Sequence, residues 1–315
     1  VRVIDATAID RLLDPAGLAD ALEAAFRTDF VMPVRHHHAI ERPGADATLL
    51  LMPAWTGSGA SPSYLGTKLV SVFPDNGTRS LPAVYGTYVL NDGETGRPLA
   101  VFDATRLTPW RTAAASAVAA RYLARPDAKR MVMVGAGTLA PFVIRAHMAG
   151  RPIESVALWN HRPERAEALA RVLAAEGLPV VAVSDLEAAV RSADLVSCAT
   201  LATEPLIRGA WLRPGTHLDC IGAFLPTMRE TDDEVVRRAS VFCDNRAGAS
   251  KEAGDLVAPL RAGVITAADI LADLDDLARG RHPGRTSAEE ITFFKSVGTA
   301  VEDLAAAVLV YGRLG

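Results

Sequence analysis

Residues 130–140 read Arg-Met-Val-Met-Val-Gly-Ala-Gly-Thr-Leu-Ala, and the fold of this 315-residue chain is decided there. Residues 131–134 form a short apolar run of the kind that makes a buried strand. They lead directly into Gly135-Ala136-Gly137-Thr138-Leu139-Ala140, a G-x-G-x-x-A pattern that opens a helical stretch running through His147. Each small residue has a physical task. Gly135 permits a tight turn, Gly137 lets backbone approach a pyrophosphate, and Ala140 lets the helix pack closely on the strand. The first amides of that helix and the positive end of its dipole then favour phosphate. Alone the pattern is weak. Between a strand and a helix it marks a dinucleotide site made by Gly135, Ala136, Gly137, Thr138 and Leu139.

The residues that follow keep the alternation going. SVALW (155–159), a helical stretch over 163–176, then VVAV (180–183), DLVSCA (194–199), THLDCIGA (216–223) and SVFCDN (240–245) place strands between helices. That texture predicts an α/β fold with a Rossmann-type, doubly wound parallel sheet. The end of the second strand bears on the choice of nucleotide. An Asp or Glu there accepts hydrogen bonds from the ribose 2′-hydroxyl of NAD. Here the residues are Asn160, His161 and Arg162, followed by Arg165. Without a carboxylate a 2′-phosphate is not repelled, and Arg162 can grip it with charge-assisted bonds. The expectation is NADP(H) in preference to NAD(H); an ordinary surface arginine opening a helix is the other reading of Arg162. Cys198, Ala199 and Thr200 close a strand whose end should face the nicotinamide, and the same tripeptide is equally a plain strand end.

Upstream, residues 1–105 have a different texture. One amphipathic helix starts near Asp14-Pro15 and runs toward Arg27. ATLLLMPAW (47–55), YLGTKLVSVFP (64–74), AVYGTYVL (83–90) and PLAVFDA (98–104) then read as strands joined by short turns, with a hairpin loop over 91–96. Consecutive strands of this kind imply a mainly antiparallel sheet. Thr108-Pro109 reads as an N-cap and first helical position, which would put Arg111 in the first turn of an alanine-rich helix. A cation is disfavoured there by the dipole unless it and the helix end share an anion. Lys68 lies inside an apolar strand run; it either needs a buried partner or sits at a sheet edge with its ammonium in water. Arg35 is a third candidate cation. Together Lys68, Arg111 and Arg35 suit the carboxylate of a small substrate, although spacing does not establish that they converge. Ser287-x-x-Glu290 and Thr299-x-x-Glu302 both fit a capping box. The second precedes a densely apolar helix expected to pack back on the first domain and make it discontinuous.

Composition narrows the function classes. Half the residues are apolar, 22% are charged and the net charge is −4, so a general nucleic-acid or anionic-membrane binder is not expected. The N-terminal residues lack the pattern of a signal peptide, and no apolar run approaches the roughly 18 residues of a membrane span. Cys198, Cys220 and Cys243 sit in apolar runs and read as buried free thiols, which fits a soluble, cytoplasmic protein. His36, His37 and His38 alternate faces on a strand and cannot easily chelate one ion, so no metal site is expected.

These stretches are similar to the ornithine cyclodeaminase/mu-crystallin family. LGTKLVSVFPDN, LPAVYGTYVLNDGETGRPLAVFDATRLTPWRTAAASAVAARYLA, VGAGTLA, SCATLATEP and FFKSVGTAVEDLAAAVLVY match it in order across nearly the whole chain. The resemblance implies a Rossmann domain over residues 113–294. It also implies a mainly antiparallel α+β substrate and dimerisation domain over 1–112 and 295–315, two of which pair in a homodimer. It implies that Lys68, Arg111 and Arg35 hold a substrate carboxylate, and it adds Val297 to the cofactor site. The family includes cyclodeaminases, alanine dehydrogenases, opine-type synthases and ketimine reductases. Cyclodeaminases and alanine dehydrogenases carry an Asp where this chain has Phe224, in Gly222-Ala223-Phe224. The Asn-His-Arg segment also resembles the NADPH-using mu-crystallin branch. The expected function is therefore NADPH-dependent reduction of a C=N bond next to a carboxylate, in a cyclic ketimine such as Δ1-pyrroline- or Δ1-piperideine-2-carboxylate. An ornithine cyclodeaminase or alanine-dehydrogenase-type enzyme is one alternative, and an NADP-dependent small-molecule binding protein is another.

Overall fold

The computed structural model describes all 315 residues, in two compact units. One comprises Val1–Arg111 with Thr299–Gly315, and the other Thr112–Gly298.

The first unit is built on a seven-stranded sheet. Its spatial order is Arg2–Ile4, Pro98–Asp103, Val84–Asp92, Tyr64–Val72, Ala47–Thr56 and Phe30–Val31, with His36–Ile40 also pairing with Ala47–Thr56. Every pairing is antiparallel except that of Arg2–Ile4 with Pro98–Asp103. The period-two rule sorts its faces. On Tyr64–Val72, Gly66, Lys68 and Val70 are buried whereas Leu69 is exposed. Lys68 therefore points to the covered side. Helix Pro15–Arg27 begins at Asp14, whose carboxylate accepts the Gly17 amide, and it buries Leu18, Leu22 and Phe26 along one stripe. Helix Ala300–Gly312 packs against it and against the three central strands.

The second unit holds eight strands, all parallel. Their order is Val180–Ala182, Ser155–Trp159, Arg130–Val134, Leu195–Cys198, His217–Cys220, Thr292–Lys295, Ser240–Cys243 and Ile270–Asp273. Helices shield the strands, so residues 131–134, 195–198 and 217–220 are buried without alternation. The strand order reverses between Arg130–Val134 and Leu195–Cys198, and the crevice at such a reversal is where open α/β sheets bind ligands. Cys198, Cys220 and Cys243 are buried free thiols, as expected.

Two local expectations fail. The alanine-rich helix does not start at Thr108-Pro109 but runs over Ala104–Leu123, with Pro109 inside it. Asp103, the last residue of its strand, accepts the Arg106 amide and does the capping. The Thr108 hydroxyl instead bonds back to the Ala104 carbonyl at 2.7 Å. Arg111 thus lies two turns in, and the helix end cannot share an anion with it. At Ser287-x-x-Glu290 the reciprocal bonds do form, with the Glu290 amide to Ser287 Oγ and the Ser287 amide to Glu290 Oε2. No helix follows, because the next residues, Thr292–Lys295, enter the parallel sheet as a fully buried strand.

Candidate active site

Helix Ala300–Gly312 is apolar nearly all round, yet Glu302 and Asp303 in its first turn are fully buried. Buried carboxylates need partners, and these have cations. Lys68 Nζ lies 2.8 Å from Asp303 Oδ1 and 2.7 Å from Oδ2. Arg111 donates from Nε to Asp303 Oδ1 at 3.0 Å and from Nη1 to Glu302 Oε2 at 2.8 Å. Burial, together with the neighbouring Arg111 charge, pushes the Lys68 ammonium down to about 8, against the pull of Asp303. The charge of Arg35 also reaches Lys68 and lowers it. Lys68 and Arg111, two of the three cations named from the sequence, therefore meet on Asp303, with Arg35 near enough for its charge to act on Lys68, and Lys68 is not at an open sheet edge. His36 and His38 share a face with rings 6.3 Å apart, and all three histidines are exposed.

Three members of this cluster were not anticipated. Glu302 was visible only as the fourth position of a capping box. Its amide does bond to Thr299 Oγ1, but its side chain serves Arg111 instead of the cap. Asp303 had no local signal. Tyr88 stands opposite Lys68 in register, fully buried, and its hydroxyl has no hydrogen-bond partner. Burial and the Asp303 charge hold that phenol well above its ordinary range, so it stays a donor. A Cβ on Gly66 would lie 1.8 Å from the Tyr88 hydroxyl oxygen, which is why the strand carries glycine there.

The dinucleotide turn in the second unit matches its expected tasks. Gly135 has φ +108°, and a Cβ on it would stand 2.6 Å from the Ala199 carbonyl oxygen. A Cβ on Gly137 would meet nothing within 4 Å, which leaves open space over the turn. Ala140 is buried at the start of helix Ala140–Gly150. The amides of Ala136, Gly137, Thr138 and Leu139 donate to no protein group and remain available to a phosphate. This cradle fits a dinucleotide. After strand Ser155–Trp159, Asn160 turns its amide side chain back onto the Arg162 carbonyl at 3.1 Å, while His161 and Arg162 are exposed. Arg162 N-caps helix Pro163–Ala175 without a side-chain bond to it.

Cys198 is buried in its strand, whereas Ala199 and Thr200 are partly exposed at its carboxyl end. Thr200 gives both its amide and its hydroxyl to Glu230 Oε1, each at 2.8 Å. The Val297 amide is held by Asp244 Oδ2 at 2.7 Å, as are the Gly298 amide and the Ser296 hydroxyl. Glu230 belongs to a fully buried triad with Asp255 and Lys295 that sequence reading missed. Lys295 sits in the apolar run FFKSVG, where, like Lys68 in its strand, a charge requires a buried partner.

The whole chain, residues 2–315, matches the model of the ornithine cyclodeaminase/mu-crystallin family. It is 42% identical over 287 residues to a Δ1-pyrroline-2-carboxylate reductase of Paracoccus denitrificans, covering 90% of this chain and 89% of that protein. It is 35% identical over 281 residues to the ketimine reductase mu-crystallin of Mus musculus, covering 89% and 82% of the two. Among solved structures, the Δ1-pyrroline-2-carboxylate reductase of Thermococcus litoralis, in complex with NADH and L-proline, superposes with a TM-score of 0.92. It shares 33% identity over 99% of this chain and 97% of that one. The Rossmann-type unit, the mainly antiparallel unit and the extent of the match agree: the chain belongs to the ornithine cyclodeaminase/mu-crystallin family.

Proposed function

We propose that this chain reduces C=N bonds next to a carboxylate, with cyclic ketimines such as Δ1-pyrroline-2-carboxylate or Δ1-piperideine-2-carboxylate as substrates and NADP(H) used ahead of NAD(H). The observation that carries the reading is the cluster of Lys68, Arg111, Arg35, Glu302 and Asp303. Lys68 and Arg111 converge on Asp303, and the charge of Arg35 reaches Lys68. A small carboxylate is the ligand that cations gathered in this way favour. Arg111 and Arg35 then hold that carboxylate with charge-assisted bonds, which fixes the ring in one orientation. Lys68, brought down to about 8, is charged at neutral pH yet gives up its proton readily, which suits protonation of the imine nitrogen. The unpaired hydroxyl of Tyr88 is a second donor beside it. The nicotinamide, when bound, supplies the hydride.

Phe224 favours reduction over deamination. Loss of ammonia from an amino acid asks for a proton acceptor near the amine. Phe224 offers none and stands 46% exposed on its loop. Glu230, which lies beside Gly222, and its neighbour Asp255 are fully buried and already engaged by Thr200, Thr231 and Lys295. For the cofactor, residues 160–162 present an amide, an imidazole and a guanidinium where an NAD-binding site carries an acid.

A homodimer is part of the same reading. The outer face of the antiparallel sheet carries Leu51, Trp55, Leu65, Leu69, Tyr85 and Val89, with Leu51 opposite Leu69, Trp55 opposite Leu65, and Thr67, Ser71 and Thr87 among them; Leu69 is 37% and Tyr85 43% exposed. No helix of the chain is long and apolar enough to cross a membrane, so a lipid-spanning helix is not what this face serves. Exposed apolar side chains grouped on one sheet face suit a protein interface. A second copy of the same face covers it isologously.

Lys68→Met and Arg111→Lys should each lower kcat/KM for a carboxylated cyclic imine by about 100-fold or more, with NADPH affinity near wild type. In the wild type kcat/KM should fall as pH rises through about 8, where Lys68 loses its proton. The Met variant should lack that limb. Wild-type turnover in either variant would reduce these side chains to structural charges.

Arg162→Ala should weaken NADPH binding by about one to two orders of magnitude, the loss of one charge-assisted contact, and leave NADH binding unchanged. Equal losses for both nucleotides would contradict the assignment of Arg162 to the 2′-phosphate.

In sedimentation velocity the wild type should run at twice its 33.3 kDa chain mass, and Leu69→Asp should run as a monomer. A monomeric wild type at micromolar concentration would rule out the sheet-face interface.

A further inference from the structure

The carboxyl edge of the parallel sheet carries a strained turn that the dinucleotide cradle does not explain. Strand His217–Cys220 ends in Ile221-Gly222-Ala223, and Ala223 has φ +49°, a left-handed conformation that costs a non-glycine residue free energy. Its neighbours hold it there. A Cβ on Gly222 would lie 2.2 Å from the Thr200 carbonyl oxygen and 2.4 Å from Glu230 Oε1. The Gly222 carbonyl accepts the Lys295 ammonium, and the Ala223 carbonyl accepts the Gly254 amide at 3.0 Å. Directly after this turn Phe224 and Leu225 emerge exposed.

One buried acid stands beside this turn. Glu230 Oε1 accepts both donors of Thr200, at the end of the neighbouring strand, and touches Gly222. Lys295 Nζ lies 3.8 Å from its Oε2 and 3.3 Å from Asp255 Oδ2. Asp255 Oδ1 in turn accepts the amides of Glu230 and Thr231. Two carboxylates around one ammonium, all fully buried, with Arg229 4.0 Å from Asp255, are weak evidence for a stabilising role, because desolvation offsets the attraction.

We propose that Glu230 is a positioning residue for the nicotinamide half of the cofactor site. Backed by Lys295 and Asp255, it latches the Thr200 turn to the Gly222–Ala223 turn and so fixes the carboxyl edge of Leu195–Cys198 and His217–Cys220 against which the nicotinamide is to lie. This rests on the reductase reading for its kinetic consequence and on the apoprotein alone for its structural one. Burial, opposed by Lys295, lifts Glu230 to about 7. The titratable and charged groups around it are Lys295, Asp255, Cys198, Cys220 and, 4.0 Å from Asp255, Arg229. Burial drives both thiols upward, away from neutrality. The latch is ionised above about 7 and neutral below it. With the folded value raised above the ordinary one, the protonated form contributes stability, and that contribution is lost as pH rises toward 7. Geometry and stability thus run in opposite directions.

The test uses Glu230→Gln and, as a charge-conserving second variant, Thr200→Val. Hydrogen exchange of the apoprotein should show the amides of residues 222–229 opening about tenfold faster in both, with the rest of the sheet unchanged. At about pH 8 Glu230→Gln should unfold at a temperature no lower than wild type. Its NADPH dissociation constant should stay within about threefold, while kcat drops by about tenfold or more. The wild-type kcat should decline as pH falls through about 7, and this limb should be absent in Glu230→Gln. Unchanged exchange in both variants would overturn the latch. Faster exchange with wild-type kcat and wild-type pH dependence would overturn the positioning role. If Glu230→Gln does not fold, Thr200→Val decides the exchange and kcat arms. A wild type that reduces no carboxylated imine would refute the function proposed above, and the exchange arm would still decide the latch.

Discussion

Asp303 takes two cations at once, and the first unit is organised around that. Lys68 sits mid-strand on the covered face of the sheet, Arg111 lies two turns into its helix, and Asp303 is buried in an otherwise apolar closing helix. None of the three is tolerable alone. Removing one partner from a buried ion pair costs about 3–5 kcal/mol, because it leaves a charge in a medium that cannot solvate it. The closing helix is therefore placed by electrostatics as well as by its alanines and leucines. Residues more than 190 positions apart in sequence define one site.

The same constraint gives the site its chemistry. Glu302 and Asp303 hold the donors of Lys68 and Arg111 in fixed directions, and the charge of Arg35 reaches Lys68. Burial lowers Lys68 into the range where proton transfer is useful. The groups that let a lysine exist in this core also fit it to the proton donation proposed for it. In the second unit the buried triad around Glu230 follows related physics with another result. There two acids share Lys295 beside Arg229, and the role proposed for them is to hold two turns of backbone. A strained Ala223 and a glycine with no room for a Cβ show how tightly those turns are determined.

The sequence was most legible where the signal was local. The glycine turn, the parallel strands around it and the amphipathic helix after Asp14 all follow from spacing within about ten residues. Reading failed where two local rules competed. Thr108-Pro109 has the form of a helix start, yet Asp103 at a strand end caps first and the helix runs through the proline. Ser287 and Glu290 make their capping bonds, yet the apolar residues that follow are worth more in the sheet than in a helix. Long-range pairings left no local trace at all. Lys68 announced a missing partner without naming Asp303, and Lys295 carried the same announcement for Glu230 and Asp255. A charge inside an apolar strand run predicts that a partner exists, and only the fold says which one.

The proposed chemistry rests on the cluster of Lys68, Arg111 and Arg35 receiving a carboxylate beside a C=N bond. Its most direct test is NADPH oxidation by the wild-type protein with Δ1-pyrroline-2-carboxylate and, side by side, with Δ1-pyrroline, the same ring without the carboxylate. Two charge-assisted bonds to the guanidinium groups are worth at least about 3 kcal/mol, so the carboxylated ring should be preferred by about 100-fold or more in kcat/KM. Equal rates for the two rings, or no NADPH oxidation with the carboxylated ring while L-ornithine releases ammonia, would contradict it.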